Sequence, residues 1–210
     1  MKFIKLYESF KDIDSICKKY GINYTINSDG SIDVDGEVDL YNKDLTKLPL
    51  KFGNVSGYFD CGFNKLTSLE GCPQSVGGYF NCSMNSLTTL EECPQSVGGY
   101  FNCYSNQLTS LEFCPQSVGG FFNFNSNKLK YLYGFPELFN GNIYYGFNPV
   151  SEILDLFKND RLGKVIDLLN EYGVIQQDGK VVILDRLEEV FHTLNMEIPK
   201  EINLQNYEVY

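Results

Sequence analysis

The chain has 210 residues, 43% of them hydrophobic, with seven cysteines and a formal net charge of −10. That composition fits a folded soluble domain, no stretch is long and apolar enough to span a bilayer, and the charged opening residues do not make a secretory signal. The charge is uneven, with six basic against nine acidic residues in 1–44, five against six in 45–149, and six against twelve in 150–210, so no basic face exists to displace counterions from a phosphate backbone and nucleic acid is not an expected ligand.

Residues 1–44 read as an N-terminal cap. Phe10, Ile13, Ile16, Cys17 and Tyr20 fall on one face of a helix that Gly21 stops. A hairpin is expected from Tyr24-Thr25-Ile26 and Ile32-Asp33-Val34, turning at Asp29-Gly30. Val38, Leu40 and Lys43 then stand 21 residues before Phe59, Cys61 and Asn64, which marks 34–44 as a degenerate first strand.

Residues 45–149 repeat five times at a step of 21. Leu45, Leu66, Leu87, Leu108 and Leu129 keep the step, as do Leu48 and its copies, and Asn64, Asn85, Asn106, Asn127 and Asn148. Phe59, Phe80, Phe101 and Phe122 recur in the same way, with Ile143 in the fifth place. Each unit reads Phe-x-Cys-x-x-Asn-x-Leu-x-x-Leu, the leucine-rich-repeat pattern with aromatic and thiol substitutes at two apolar positions. Alternation in Tyr79-Phe80-Asn81-Cys82 predicts a short strand with Phe80 and Cys82 inward. The repeating Asn is expected to satisfy backbone groups at the turn and to stack into a ladder. Pro73 and Pro94 keep the return segment from becoming a long helix, and the paired glycines (77–78, 98–99, 119–120) suit a tight turn of entry into the next strand. Six cysteines form two ladders, Cys61, Cys82, Cys103 and Cys72, Cys93, Cys114, the behaviour of small core residues with free thiols.

Residues 150–210 read as an α-rich C-terminal cap. Helices are expected near 151–157 and 161–172, followed by a hairpin between Val174 and Leu184. A last helix starts at Asp185, with Glu188 completing a capping box. The fold class is therefore α/β: a short leucine-rich-repeat solenoid with a parallel sheet on its concave face, non-helical return segments, and α+β caps at both ends.

The string Leu66-Thr67-Ser68-Leu69-Glu70-Gly71-Cys72-Pro73 with Gly78-Tyr79-Phe80-Asn81-Cys82-Ser83 resembles leucine-rich-repeat proteins of large tailed bacteriophages of the T-even type. Lys2-Phe3-Ile4-Lys5-Leu6-Tyr7-Glu8, Asp29 to Val34 and Ile183 to Leu187 are similar too. The resemblance implies an accessory product acting in the infected bacterial cell. A more distant likeness, to bacterial effector repeats carrying a ubiquitin ligase, fails because residues 150–210 hold no cysteine.

The outward strand positions are the candidate site. They are Tyr58, Tyr79, Tyr100 and Phe121 in one row, and Asp60, Asn81, Asn102, Asn123 and Tyr144 in the next. Gly62, Ser83, Tyr104 and Asn125 follow, with Phe63, Met84, Ser105 and Ser126 beside them. Tyr- and Asn-rich surfaces suit protein recognition. The same rows also stabilise a sheet simply by pairing across strands. Tyr104, Met84 and Phe63 break the repetition, so specificity is expected there. Asp33, Asp35 and Asp39 do not meet a calcium-loop frame, which would have Ser31 first and Asn42 last. The cysteine ladders lack a second ligand pair for zinc. His192 is the only histidine, and no phosphate loop or nucleophile motif is present. The expectation is a non-enzymatic module without cofactor or metal that engages a bacterial protein. Alternatives are a self-assembling or virion role, or an acidic mimic of nucleic acid using Asp178, Glu188 and Glu189 in the C-terminal cap.

Overall fold

The computed structural model describes residues 12–139, 141–157, 161–176 and 179–210. Phe10, the opening string Lys2 to Glu8, and Asp178 lie outside the described residues.

Helix α1 (residues 12–20) buries Ile13 and Cys17 and ends at Gly21, whose φ is +68°. Strands β1 (Tyr24–Ile26) and β2 (Ile32–Val34) pair antiparallel, Tyr24 opposite Val34. Gly30 turns between them at φ +82°. Asp29 accepts the Ser31 N–H at 3.0 Å, the side-chain turn that this residue type favours.

Each following turn contributes two short strands. They are β3 (Val38–Asp39), β4 (Phe52–Val55) and β5 (Phe59–Asp60), then β6 (Ser75–Val76) and β7 (Phe80–Asn81). Next come β8 (Ser96–Val97) and β9 (Phe101–Asn102), β10 (Ser117–Val118) and β11 (Phe122–Asn123), and β12 (Leu138–Phe139) and β13 (Ile143–Tyr144). Among the described residues, one sheet runs β1-β2-β4-β6-β8-β10-β12 and a second runs β13-β11-β9-β7-β5-β3. Beyond the β1–β2 hairpin every pairing in both is parallel, and β3 to β13 match at the 21-residue step, Phe80 beside Phe59 and Phe101. The protein is a β-solenoid of 21-residue repeats.

The repeat pattern predicts a parallel sheet on the concave face with non-helical return segments. The return segments are indeed non-helical, but Ser-Val in each forms its own parallel sheet. The reason is that stacked copies at a fixed step bring identical backbones to strand spacing, so two residues suffice to form a ladder. The core between the sheets is filled by Phe59, Phe80, Phe101 and Phe122, all fully buried, with Phe59–Phe80 and Phe80–Phe101 stacked at 5.6 and 5.5 Å. Burying one such ring contributes about 2–3 kcal/mol. Val76, Val97 and Val118 face them from the other sheet.

All seven cysteines are free and buried. Two of the second ladder are also donors: Cys93 and Cys114 Sγ reach the carbonyls of Phe113 and Gly134, both at 2.8 Å. Burial pushes the thiols of Cys72, Cys82, Cys93, Cys103 and Cys114 up, so they are poor nucleophiles.

The far end is closed by α2 (Ser151–Leu154), α3 (Leu162–Glu171), β14 (Val181–Val182), α4 (Leu184–Thr193) and β15 (Glu208–Val209). Phe157 stacks on Phe191 at 4.5 Å in this cap. It docks on the last turn through Asn170 Nδ2 to Leu132 O (3.0 Å) and Tyr207 Oη to Lys130 O (2.6 Å). The expected hairpin is present, with Ile175 bridged to Val182, and β14 also takes β15 as a parallel neighbour. The capping box is a correction. Helix α4 is capped at Ile183 without any side-chain bond, because the extended Ile183 is held by its N–H to Val174 O at 2.9 Å and the helix begins before Asp185 can cap it.

Candidate functional site

The outer side of the second sheet carries the sequence-expected rows. Tyr58, Tyr79, Tyr100 and Phe121 stack plane on plane, with centroids 4.6, 4.5 and 4.4 Å apart and tilts of 2–6°. Each ring covers its neighbours, leaving the row half-buried, and burial raises the phenols of Tyr58, Tyr79 and Tyr100. This row braces the sheet as much as it offers a surface.

The adjacent row behaves as turn-formers. Side-chain oxygens of Asp60, Asn81, Asn102 and Asn123 accept the N–H two residues on, at Gly62 (2.9 Å), Ser83, Tyr104 and Asn125 (each 3.1 Å). Asn81 also donates to Asp60 at 3.0 Å and is buried. Its place among outward contact residues is therefore corrected: both ends of its amide are already engaged. Asn102 and Asn123 are half-buried. The glycine pairs are also reassigned. None of 77–78, 98–99 or 119–120 has a positive φ, and what they provide is room for the neighbouring turn, since a Cβ on Gly98 would overlap Gly77 O.

Asp60 is the exception in its row. Burial, and then the charge of Asp39, raise its carboxyl above the usual range, against the hydrogen bonds from Gly62 and Asn81 that lower it. A raised carboxyl favours the folded state only below its ordinary pKa, near 4, and that contribution is lost as pH rises through the raised value. Asp60→Asn, which copies the other turns, is expected to match the wild type at low pH. Near neutrality it gains about 0.5 kcal/mol, a figure held down by the water that still reaches the carboxylate. Urea midpoints at the two pH values check this; a loss of stability at neutral pH would contradict it.

What stands out toward solvent is a third group. Phe63, Met84 and Tyr104 are 45%, 42% and 37% exposed, and Tyr144 45%. Two residues missed by sequence reading join them: Tyr41, stacked on Phe63 at 5.9 Å, and Phe147, 85% exposed. Phe147 follows Phe63, Met84, Ser105 and Ser126 at the same step of 21, and that signal was available. Asn42, Phe63, Met84, Ser105, Ser126 and Phe147 all adopt left-handed backbone, φ 53–57°. Side chains other than Gly and Asn pay about 1 kcal/mol or more to stand there. Between Phe63, Met84, Asp44, Lys65 and Ser105 lies an open groove of about 340 Å³. A larger open groove of about 900 Å³ lies on the return side between Lys47, Lys51, Glu70 and Glu92. Glu92 there already accepts the Gly71 N–H at 3.3 Å.

Among the described residues no three His, Cys, Asp or Glu side chains converge as a metal site, and no helix is long and apolar enough to cross a membrane. Asp33, weighed as a calcium ligand, accepts from Asn27 Nδ2 at 2.9 Å and Asn54 N at 2.7 Å. These bonds hold its carboxyl below the usual range.

The fold and face define a β-solenoid with one aromatic-lined outer sheet. No known protein family, curated protein or solved structure matches the chain, so the phage likeness rests on the quoted strings alone.

Proposed function

We propose that the protein is a non-enzymatic binding module that engages another protein through the outer face of the second sheet and the corner beside it. One observation carries the reading. Phe63, Met84 and Phe147 occupy positions where the backbone favours Gly or Asn and the solvent favours polar groups. Neither folding nor solubility accounts for large apolar side chains there; covering by a partner does. Tyr144 and Tyr104 extend the patch, and the half-buried row from Tyr58 to Phe121 backs it with a rigid floor. The resemblance to T-even-like phage proteins supports a partner in the bacterial cytoplasm, with modulation or inhibition of a host or defence protein as the outcome.

Phe147→Asn is expected to raise stability by about 0.5 kcal/mol, since it relieves the left-handed corner and removes little buried area. Combining it with Phe63→Asn and Met84→Asn should abolish saturable capture of a partner from bacterial lysate by the immobilised full chain. Capture that is undiminished in the triple variant would overturn the proposal, and so would the absence of any saturable partner.

A further inference from the structure

Resting on that reading, the geometry points to the chemistry of the partner: we infer that the face receives an extended, positively charged protein segment laid along the solenoid axis. Asp39 and Asp60 are direct neighbours across the β3–β5 ladder. Like charges placed side by side in a sheet destabilise it. The pair accepts hydrogen bonds from neutral donors, Tyr41 N–H to Asp39 at 2.9 Å and Gly62 N–H and Asn81 Nδ2 to Asp60 at 2.9 and 3.0 Å, and among the described residues neither carboxylate is ion-paired. Glu37 lies two residues before Asp39, on the same side of the strand. The field of these carboxylates extends across the aromatic floor, where Asp39, Glu37 and Asp60 all act on the Tyr58 phenol.

A guanidinium or ammonium group beside these carboxylates gains an ion pair and, on the side of Tyr58 turned away from Tyr79 at the end of the stack, the ring quadrupole as well. Moving along the face, charge gives way to the uncharged Asn102 and Asn123 and then to the exposed Tyr144 and Phe147. From β3 to β13 there are six strands, a span of about 24 Å, which an extended segment of about seven residues covers. The face therefore asks for Lys or Arg at one end of such a segment and an aliphatic or aromatic side chain at the other. A nucleic acid or an acidic segment meets repulsion instead.

The test is selection of random peptides about 12 residues long on the full-length protein. The selected peptides are then titrated against the wild type, Asp39→Asn/Asp60→Asn and Phe63→Asn/Phe147→Asn. The expected result is Lys- or Arg-bearing peptides. Their affinity falls about tenfold or more in the Asp variant and on raising salt from about 0.05 to about 0.5 M, and it falls in the Phe variant as well. Peptides that lose affinity in the Phe variant alone and carry no basic residue would overturn the charge assignment while leaving the docking face standing. If no peptide is selected, or those selected bind all three proteins alike, both the inference and the face fall.

Discussion

Asn106→Ala should destabilise the fold by about 4 kcal/mol, as read from its denaturant midpoint, for the loss of one exchangeable-looking polar side chain. Asn106 is buried, and its amide joins two neighbouring turns. Nδ2 donates to Cys82 O and Cys103 O, both at 3.1 Å, while Oδ1 accepts the Leu87 N–H at 3.0 Å. Removing the amide leaves the Leu87 N–H unpaired, at roughly 1–3 kcal/mol, and takes one of two donors from each of Cys82 O and Cys103 O, which Asn85 and Asn127 still reach at 3.1 Å, at about 1 kcal/mol each. Asn106→Asp should cost about as much, because the carboxylate still accepts from Leu87 but turns acceptor against acceptor at Cys82 and Cys103. Asn64 makes the equivalent bonds, to Leu40 O at 2.8 Å and Cys61 O at 3.0 Å, from a half-exposed place at the start of the ladder. Water can reach the groups that Asn64→Ala releases, so its cost is expected near 1.5 kcal/mol. Equal costs at the two ends would mean that burial is not what gives the ladder its value.

Gly98→Ala is the second large effect, expected at about 3 kcal/mol from a single methyl. The added carbon overlaps the carbonyl oxygen of Gly77, a backbone atom that cannot swing aside. The turns cannot separate either, since Gly98 N–H to Val76 O (2.9 Å) and Gly99 N–H to Gly78 O (2.8 Å) clamp them together. Gly163→Ala is the counterpart. It lies in α3 with open space where the methyl would go, and it should stabilise by about 0.5 kcal/mol through helix propensity. Paired thermal melts of the two variants check the sign in each case. A neutral Gly98→Ala would show that the spacing between turns is softer than the ladder implies.

Both effects come from the same geometry that builds the binding face. Turns stacked at strand spacing place identical side chains beside one another, so a favourable group is multiplied along the axis and an unfavourable one is too. The tyrosine row and the Asp39–Asp60 pair are the two outcomes on a single surface.

Much of this molecule is determined by the sequence alone, because a repeat of fixed length leaves little freedom: the 21-residue step sets which residues stack, and the inward Phe, Cys, Leu and Asn ladders follow from it. The β1–β2 hairpin was legible from Asp29-Gly30 for a similarly local reason. Only the tertiary structure decided the rest. The sheet built from the Ser-Val segments is invisible in any one of them, because its pairing partners are 21 residues away. That Asn81 is buried while Phe147 stands exposed depends on which amide a neighbouring turn engages and where the last turn ends, not on residue type. The left-handed corners are likewise a property of the coil's path, imposed equally on Asn42, which suits them, and on Phe63, which does not.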